Sequence, residues 1–336
     1  MTHKAMDTEL SLPSGNRTIN YLRLSVTDRC NLRCIYCMPE EGVEFVPHNQ
    51  VLSYEEMLRL VEVSVKAGIR KVRLTGGEPL VRKGFIAFLE KLSAIEELKE
   101  ISLTTNGVLL KEFALDIKRC GICRINVSLD SLNPQKFVKI TGRDYFHRVV
   151  EGIEEAERLG FNPIKINVVA MRGINDDEIL DFGRLTLTKP YHVRFIEFMP
   201  IGKNNCWTSD RFIPAEEILN ALRTLGELKP LVHNSLDGPA QRYRLQGAKG
   251  EIGLIGAISN HFCAQCNRLR LTSEGHLRGC LFSDKEIDVK TPLREGQGDE
   301  TLLQMVKLAI DRKPKDHGLM QREPKKCVRH MSSIGG

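Results

Sequence analysis

The chain has 336 residues, 41% hydrophobic and 27% charged, with a formal net charge of +6 from 49 basic and 43 acidic side chains. This composition suits a globular protein, and the charge is too small and too scattered to point to nucleic acid. No run approaches the ~18 apolar residues of a membrane helix, and residues 1–18 lack the apolar core of an export signal. A cytoplasmic protein without membrane contact is therefore expected, with residues 1–19 as a flexible arm.

From residue 20 onward, short β-branched runs alternate with amphipathic stretches. The pattern predicts strands at 21–26, 71–74, 100–104, 124–129, 165–170 and 193–198. Helices are expected at 54–67, 85–98, 109–119, 146–159 and 177–187. Ser53 and Glu56 stand at capping-box spacing, and Gly68 and Gly160 stand where helices should stop. Six strands with helical crossovers imply a parallel sheet. Periodicity alone does not separate an open sheet from an incomplete barrel. The polar segments Thr27-Asp28, Gly76-Gly77-Glu78-Pro79, Thr105-Asn106-Gly107, Asp130-Ser131 and Met199-Pro200 all follow strand ends, where α/β proteins build their sites. Convergence of these loops on one mouth would favour barrel-like closure. The expected organisation is a barrel domain over 20–200 and a C-terminal domain over 201–336. The latter offers a helix at 213–225, strands at 242–245 and 251–255, and a basic, turn-rich end.

Six of the ten cysteines fall into two groups. Clustered cysteines in a cytosolic protein suggest metal or redox chemistry rather than disulfides. Cys30, Cys34 and Cys37 form C-x3-C-x2-C on the loop after the first strand. Three thiolates there can hold three irons of a 4Fe–4S cube and leave the fourth iron open. An open iron can chelate S-adenosylmethionine (SAM) and pass it one electron, releasing a 5′-deoxyadenosyl radical. Tyr36 is placed for an aromatic contact to adenine. A structural zinc site fits poorly, because it asks for four ligands. The Gly-Gly-Glu-Pro turn after the second strand permits close backbone approach to a ligand.

Cys263, Cys266 and Cys280 form the second group. Zinc is a serious alternative there, since His261 or His276 would complete a three-cysteine, one-histidine site. A second 4Fe–4S cluster whose open iron binds substrate is the other reading. If residues 267–271 are extended, Arg268 and Arg270 share a face, which suits a triphosphate and equally a solvated strand.

Taken together, Val26 through Asn31, Tyr36-Cys37-Met38-Pro39, Leu74 through Pro79, Leu103 through Gly107, Asn126 through Ser131, Arg194 through Pro200, Phe262 through Arg270 and the final Gly335-Gly336 resemble the GTP 3′,8-cyclase family of radical SAM enzymes. The resemblance runs from about residue 20 to the end. It implies an incomplete (β/α)6 TIM-type barrel with a C-terminal α+β extension, a homodimer, and two 4Fe–4S clusters, one at each end of the barrel. The implied reaction opens molybdenum cofactor biosynthesis. The radical takes the 3′ hydrogen of GTP, and C3′ then bonds to C8 of guanine, giving (8S)-3′,8-cyclo-7,8-dihydroguanosine 5′-triphosphate.

The resemblance assigns Cys30, Cys34 and Cys37 to the SAM cluster and Tyr36, Gly77, Ser128 and Met199 to the SAM pocket. It assigns Cys263, Cys266 and Cys280 to a substrate cluster. Arg23, Arg73, Thr104, Lys165, Arg268, Leu269 and Arg270 are the implied GTP contacts, with Arg194 added. Gly335 and Gly336 form a tail that reaches the active site. The implied partners are cyclic pyranopterin monophosphate synthase, which takes the product, and an unnamed electron donor. Two alternatives stand beside it: another radical SAM enzyme with an auxiliary cluster, such as a peptide maturase, and a non-enzymatic cluster protein. Cys120 and Cys123 form a further C-x-x-C, read as buried thiols rather than a redox pair. Cys206 has no role, and Cys327 in the basic tail reads as an exposed thiol.

Overall fold

The computed structural model describes residues 13–14, 17–38, 42–202, 206–232, 238–316, 327 and 329–335. A two-stranded ribbon, β1 (Pro13–Ser14) and β2 (Arg17–Thr18), precedes the main sheet. The alternating units are β3 (Tyr21–Ser25), α1 (Tyr54–Lys66), β4 (Lys71–Thr75), α2 (Phe85–Ser93), β5 (Glu100–Thr105), α3 (Leu110–Arg119) and β6 (Ile125–Ser128). They continue with α4 (Pro134–Thr141), α5 (Phe146–Arg158), β7 (Ile164–Ala170), α6 (Ile179–Thr188) and β8 (His192–Glu197). Strands β3 to β8 lie side by side in chain order, all parallel. The capping box forms as expected: Glu56 N–H donates to Ser53 Oγ (3.1 Å) and Ser53 N–H to Glu56 Oε2 (2.6 Å). Gly68 and Gly160 end their helices at φ +102° and +71°.

The rest of the chain adds α7 (Ala215–Arg223), β9 (Leu228–Pro230), β10 (Gln241–Leu245), β11 (Glu251–Ile255), β12 (Arg268–Leu271), β13 (His276–Arg278) and β14 (Ile287–Asp288). It ends with α8 (Lys290–Arg294), α9 (Asp299–Asp311) and α10 (Met331–Ile334). β11 pairs parallel to β8, and β12 pairs parallel to β3. One twelve-stranded sheet results, running from β14 to β9 without closing. Leu271, Leu277, Leu302 and Val306 share a single apolar core with Leu22 and Val72. The segment after residue 200 thus extends the barrel sheet at both edges and shares its main core, with a small apolar cluster around Ile201, Cys327 and Ile334 beside it. No helix among the described residues is long and apolar enough to cross a membrane.

The strands are covered on both faces, and the two faces differ. Leu22, Leu24, Val72, Leu74, Ile125, Val127, Ile166, Val168, Val193 and Phe195 point outward into the helix layer. Burying each contributes ~1.5–3 kcal/mol. The alternate residues Arg23, Arg73, Thr75, Thr104, Asn126, Ser128, Asn167 and Arg194 point inward. An all-parallel barrel ordinarily fills its interior with branched aliphatics. Here that space is walled by cations, hydroxyls and amides, so it stays open as a cavity.

Candidate active site

A cavity of about 300 Å³ occupies the barrel interior, and all six clustered cysteines line it. Topology fixes where the two trios stand. Cys30, Cys34 and Cys37 follow the C-terminal end of β3. Cys263 and Cys266 precede the N-terminal end of β12, which runs parallel to β3 with Arg268 opposite Tyr21. Cys280 follows the antiparallel β13 and so returns to that same end. The trios therefore face each other along roughly 13 Å of strand, four steps of ~3.3 Å.

The first trio sits on a loop pinned from two sides. Gly77 N–H donates to Thr27 O (2.7 Å) and Glu78 N–H to Arg29 O (2.8 Å), which presses the Gly-Gly-Glu-Pro turn flat against the chain leading to Cys30. The Glu78 carboxylate accepts from Thr105 Oγ1 (2.8 Å), Asn106 N–H (2.6 Å) and Leu80 N–H (3.1 Å). Burial outweighs these donors and lifts its pKa to about 7. Asn106 Nδ2 reaches Cys30 Sγ at 3.7 Å. On the other side, Arg33 and Ile35 donate their N–H groups to Thr141 O (2.8 Å) and Ile140 O (3.0 Å) at the end of α4. Tyr36 Oη donates to Asp130 Oδ2 (2.6 Å), and Asp130 Oδ1 accepts from Val169 N–H (2.8 Å). Burial raises Asp130 to about 6. It also pushes Cys30 up to about 11, with Glu78 adding to it, Cys37 to about 12, and Cys34 well above the ordinary thiol range. These sulfurs keep their protons unless a cationic group binds them.

The wall between the trios is cationic. Strand register sets Arg270 beside Arg23, and Arg23 beside Arg73, on three neighbouring strands. Burial draws Arg23 down to about 10 and Arg270 well below the usual guanidinium range. Lys165, on β7 behind the wall, falls to about 6 through burial, with Arg194 and Arg73 repelling its charge. Arg73 Nε, Thr104 Oγ1 and Asn167 Oδ1 are buried without a hydrogen-bond partner. A cluster of buried guanidiniums beside these unsatisfied polar atoms suits a polar anion.

In the second trio, Cys266 has the opposite electrostatics. Burial alone would raise Cys266, but Arg268 and Lys313 outweigh it and bring the thiol to about 6. Arg268 lies 4.8 Å from the centre of the Phe262 ring, and Lys313 Nζ donates to Arg268 O (2.8 Å) and Gly279 O (2.5 Å). Arg17 donates to Cys263 O (2.7 Å) and Pro314 O (3.0 Å). Residues 17–18 thus belong to the site's support and not to a free arm; residues 1–12, 15 and 16 lie outside the described residues.

Most of the expected site residues meet in this cavity: Tyr36, Gly77, Ser128, Met199, Arg23, Arg73, Thr104, Arg194, Arg268 and Arg270 all line it. Leu269 differs. Alternation along β12 turns its side chain away, fully buried in the apolar core. Gly335 is anchored, with its carbonyl accepting from Arg23 Nε (3.2 Å), Arg23 Nη2 (3.1 Å) and Arg270 Nη1 (2.9 Å); Gly336 lies outside the described residues. Cys327 is buried, correcting the expectation of an exposed thiol: its sulfur accepts from Arg278 (3.3 Å) and donates to Asp284 (3.3 Å). Cys120 is half-buried and Cys123 exposed, so the buried reading of that pair fails at Cys123, which sits on the outer turn after Gly121. Asp130, Asn106, Lys313 and Arg17 were not singled out from sequence. Asp130 and Asn106 stood inside segments already noted at strand ends, whereas nothing local marks Arg17 or Lys313.

Comparison with known proteins fits this geometry. The radical SAM superfamily pattern matches residues 24–186, and the pattern named Molybdenum Cofactor Synthesis C matches 191–319. A GTP 3′,8-cyclase of Desulforamulus reducens is 53% identical over 322 residues, covering 96% of this chain and 98% of that one. The chain belongs to the GTP 3′,8-cyclase family. Family members from Thermodesulfovibrio yellowstonii (50% identity; 96% and 98% covered) and Geobacter sulfurreducens (47%; 97% and 99%) match along the same length. Among solved structures, Streptococcus suis SuiB bound to S-adenosylmethionine superposes with a TM-score of 0.58 at 14% identity, covering 94% of this chain and 77% of that one. The structure titled native anSMEcpe with bound AdoMet gives 0.57 at 16% identity, covering 88% and 81%. At such identities the likeness is one of fold. The full-length cyclase relatives leave the peptide-maturase reading without support. The chain is a radical SAM enzyme.

Proposed function

We infer that this chain converts GTP to (8S)-3′,8-cyclo-7,8-dihydroguanosine 5′-triphosphate, cleaving SAM to 5′-deoxyadenosine and methionine, as the first step of molybdenum cofactor biosynthesis. One observation carries the reading: two cysteine trios at opposite ends of one strand pair, facing a single cavity with guanidiniums between them. Three thiols suit a 4Fe–4S cube held by three of its irons. Among the described residues, no three His, Cys, Asp or Glu side chains converge on a single ion. When bound on Cys30, Cys34 and Cys37, that cluster and SAM together supply the 5′-deoxyadenosyl radical.

The chain's own residues do the rest. Gly77 keeps the turn bare of side chain where SAM lies, and Tyr36, held by Asp130, borders it together with Ser128 and Met199. Arg23, Arg73, Arg194 and Arg270 neutralise the triphosphate, Lys165 adds its charge from behind them, and Thr104 offers a hydroxyl. Arg268 stands beside the second trio, where Cys263, Cys266 and Cys280 would hold a second 4Fe–4S cluster whose open iron would offer a site to the guanine. The enzyme works in the cytoplasm as a homodimer, draws electrons from a donor protein and passes its product to cyclic pyranopterin monophosphate synthase. Anaerobic incubation with SAM, dithionite and GTP, followed by mass analysis of the nucleotides, tests the reading. Release of 5′-deoxyadenosine with GTP unaltered would refute it.

A further inference from the structure

The described end of the chain, Cys327 and residues 329–335, is held by contacts that the reaction outlined above does not use. Arg278 closes β13, and its side chain is 0% exposed. It pairs with Glu286 and donates to Cys327 Sγ (3.3 Å) and to the Ser283 carbonyl. Arg329 grips the same Glu286 at 2.8 Å and also pairs with Glu274 in the β12–β13 turn. Cys327 bridges to Ile201, with Gly202 N–H donating to Cys327 O (3.0 Å). Together with Ile334 and Met331 these residues pack against Met199, Leu281 and Phe282. From there α10 carries the chain across the cavity. The Ser332 amide is directed at Cys37 of the first trio, and the Gly335 carbonyl rests on Arg23 and Arg270.

We propose that Arg278 and Arg329 are positioning residues. Through their shared carboxylate, Glu286, they lock the loop that carries Cys280 to the C-terminal strap. That lock delivers the Gly335 carbonyl to the two guanidiniums and the Ser332 amide to Cys37. One element thereby reaches the first trio, the residues after Cys280 and the cationic wall, and its seating is set by ion pairs outside the cavity. The link from seating to GTP chemistry rests on the function proposed above; the lock itself does not.

Two buried or half-buried carboxylates converge on two guanidiniums here, so losing one partner leaves uncompensated charge and opens the strap locally. Hydrogen–deuterium exchange on the full chain, iron-free and reconstituted, reads this directly. Arg329→Gln raises exchange in residues 331–335 by about tenfold and leaves the barrel strands unchanged, while Arg329→Lys falls between it and the wild type. Glu274→Gln, which removes the other half of the fork, gives the same result if Arg329→Gln does not fold. Wild-type exchange in both variants overturns the proposal. In the reconstituted enzyme, cyclised nucleotide per 5′-deoxyadenosine falls about tenfold or more, because a misplaced cavity wall misdirects the substrate. Faster exchange with an unchanged ratio overturns the link to catalysis. If the wild type itself yields no cyclised nucleotide, the fault lies with the assigned reaction, and the exchange measurement still decides the lock.

Discussion

Replacing Gly77 by alanine tests how closely the SAM turn must lie against the first cysteine loop. A Cβ at Gly77 would stand 2.3 Å from Arg29 O, 2.6 Å from Arg29 C and 2.7 Å from Asp28 O. All three are backbone atoms that cannot swing aside. Unstrained contacts begin near ~3.5 Å, so the turn must recede by about 1 Å. That movement breaks the bonds from Gly77 N–H to Thr27 O and from Glu78 N–H to Arg29 O. Two backbone bonds at ~0.5–1.5 kcal/mol each, plus ~1–3 kcal/mol of overpacking, give ~2–6 kcal/mol of destabilisation. Gly121→Ala is the control: its φ is +82° with nothing within 4 Å, so it incurs only the ~1–2 kcal/mol of a left-handed backbone. Anaerobic urea unfolding of the iron-free proteins compares the two, and equilibrium binding of SAM to the reconstituted proteins follows. A Gly77→Ala protein as stable as the control, with SAM affinity intact, would show that the turn is not seated as described.

Reconstituted protein should hold ~8 iron atoms per chain, and Cys266→Ala ~4 with SAM binding retained. Four irons and one zinc in the wild type would instead assign the second trio to zinc. Arg268→Ala should weaken GTP binding by ~1.5–3 kcal/mol, measured anaerobically by calorimetry; unchanged affinity would remove that arginine from the substrate site. Lys165, with a folded pKa of about 6 against 10.5 unfolded, binds fewer protons in the native state between those values. Stability therefore rises with pH across that window, and Lys165→Met should flatten the rise in urea unfolding series at pH 6 to 9. Binding a triphosphate should return the proton to Lys165, so GTP affinity should fall as pH climbs from 6 to 9, and fall less in the variant.

The sequence shows those features whose causes are local. The Ser53–Glu56 box, the glycine stops and the six parallel strands are visible because each depends on a few neighbouring residues. The helices α4 and α9 were missed although their signals were present. Asn133 caps α4 by accepting from Lys136 N–H, with Pro134 at the first turn and Gly142 at φ +68° behind the helix, and Asp299-Glu300 opens α9 ahead of the buried face Leu302, Val306 and Ile310. α2 was expected to reach residue 98 but stops at Ser93, because the apolar spacing continues through Ile95 and Leu98 after the helical hydrogen bonds have ended. The site was legible as two trios and a set of cations, but their confrontation was not. It depends on β12 pairing with β3, a contact between residues some 250 positions apart. Burial of Cys327 depends likewise on Arg278, and no property of the basic tail hints at it.

Because the two sulfur trios hang from opposite ends of β3 and β12, their spacing is a ruler cut from backbone. Loops can lengthen and side chains can change without altering it, since ladder bonds fix the register. With SAM at one mark and GTP at the other, as proposed above, the sheet itself fixes how near the two molecules come to each other.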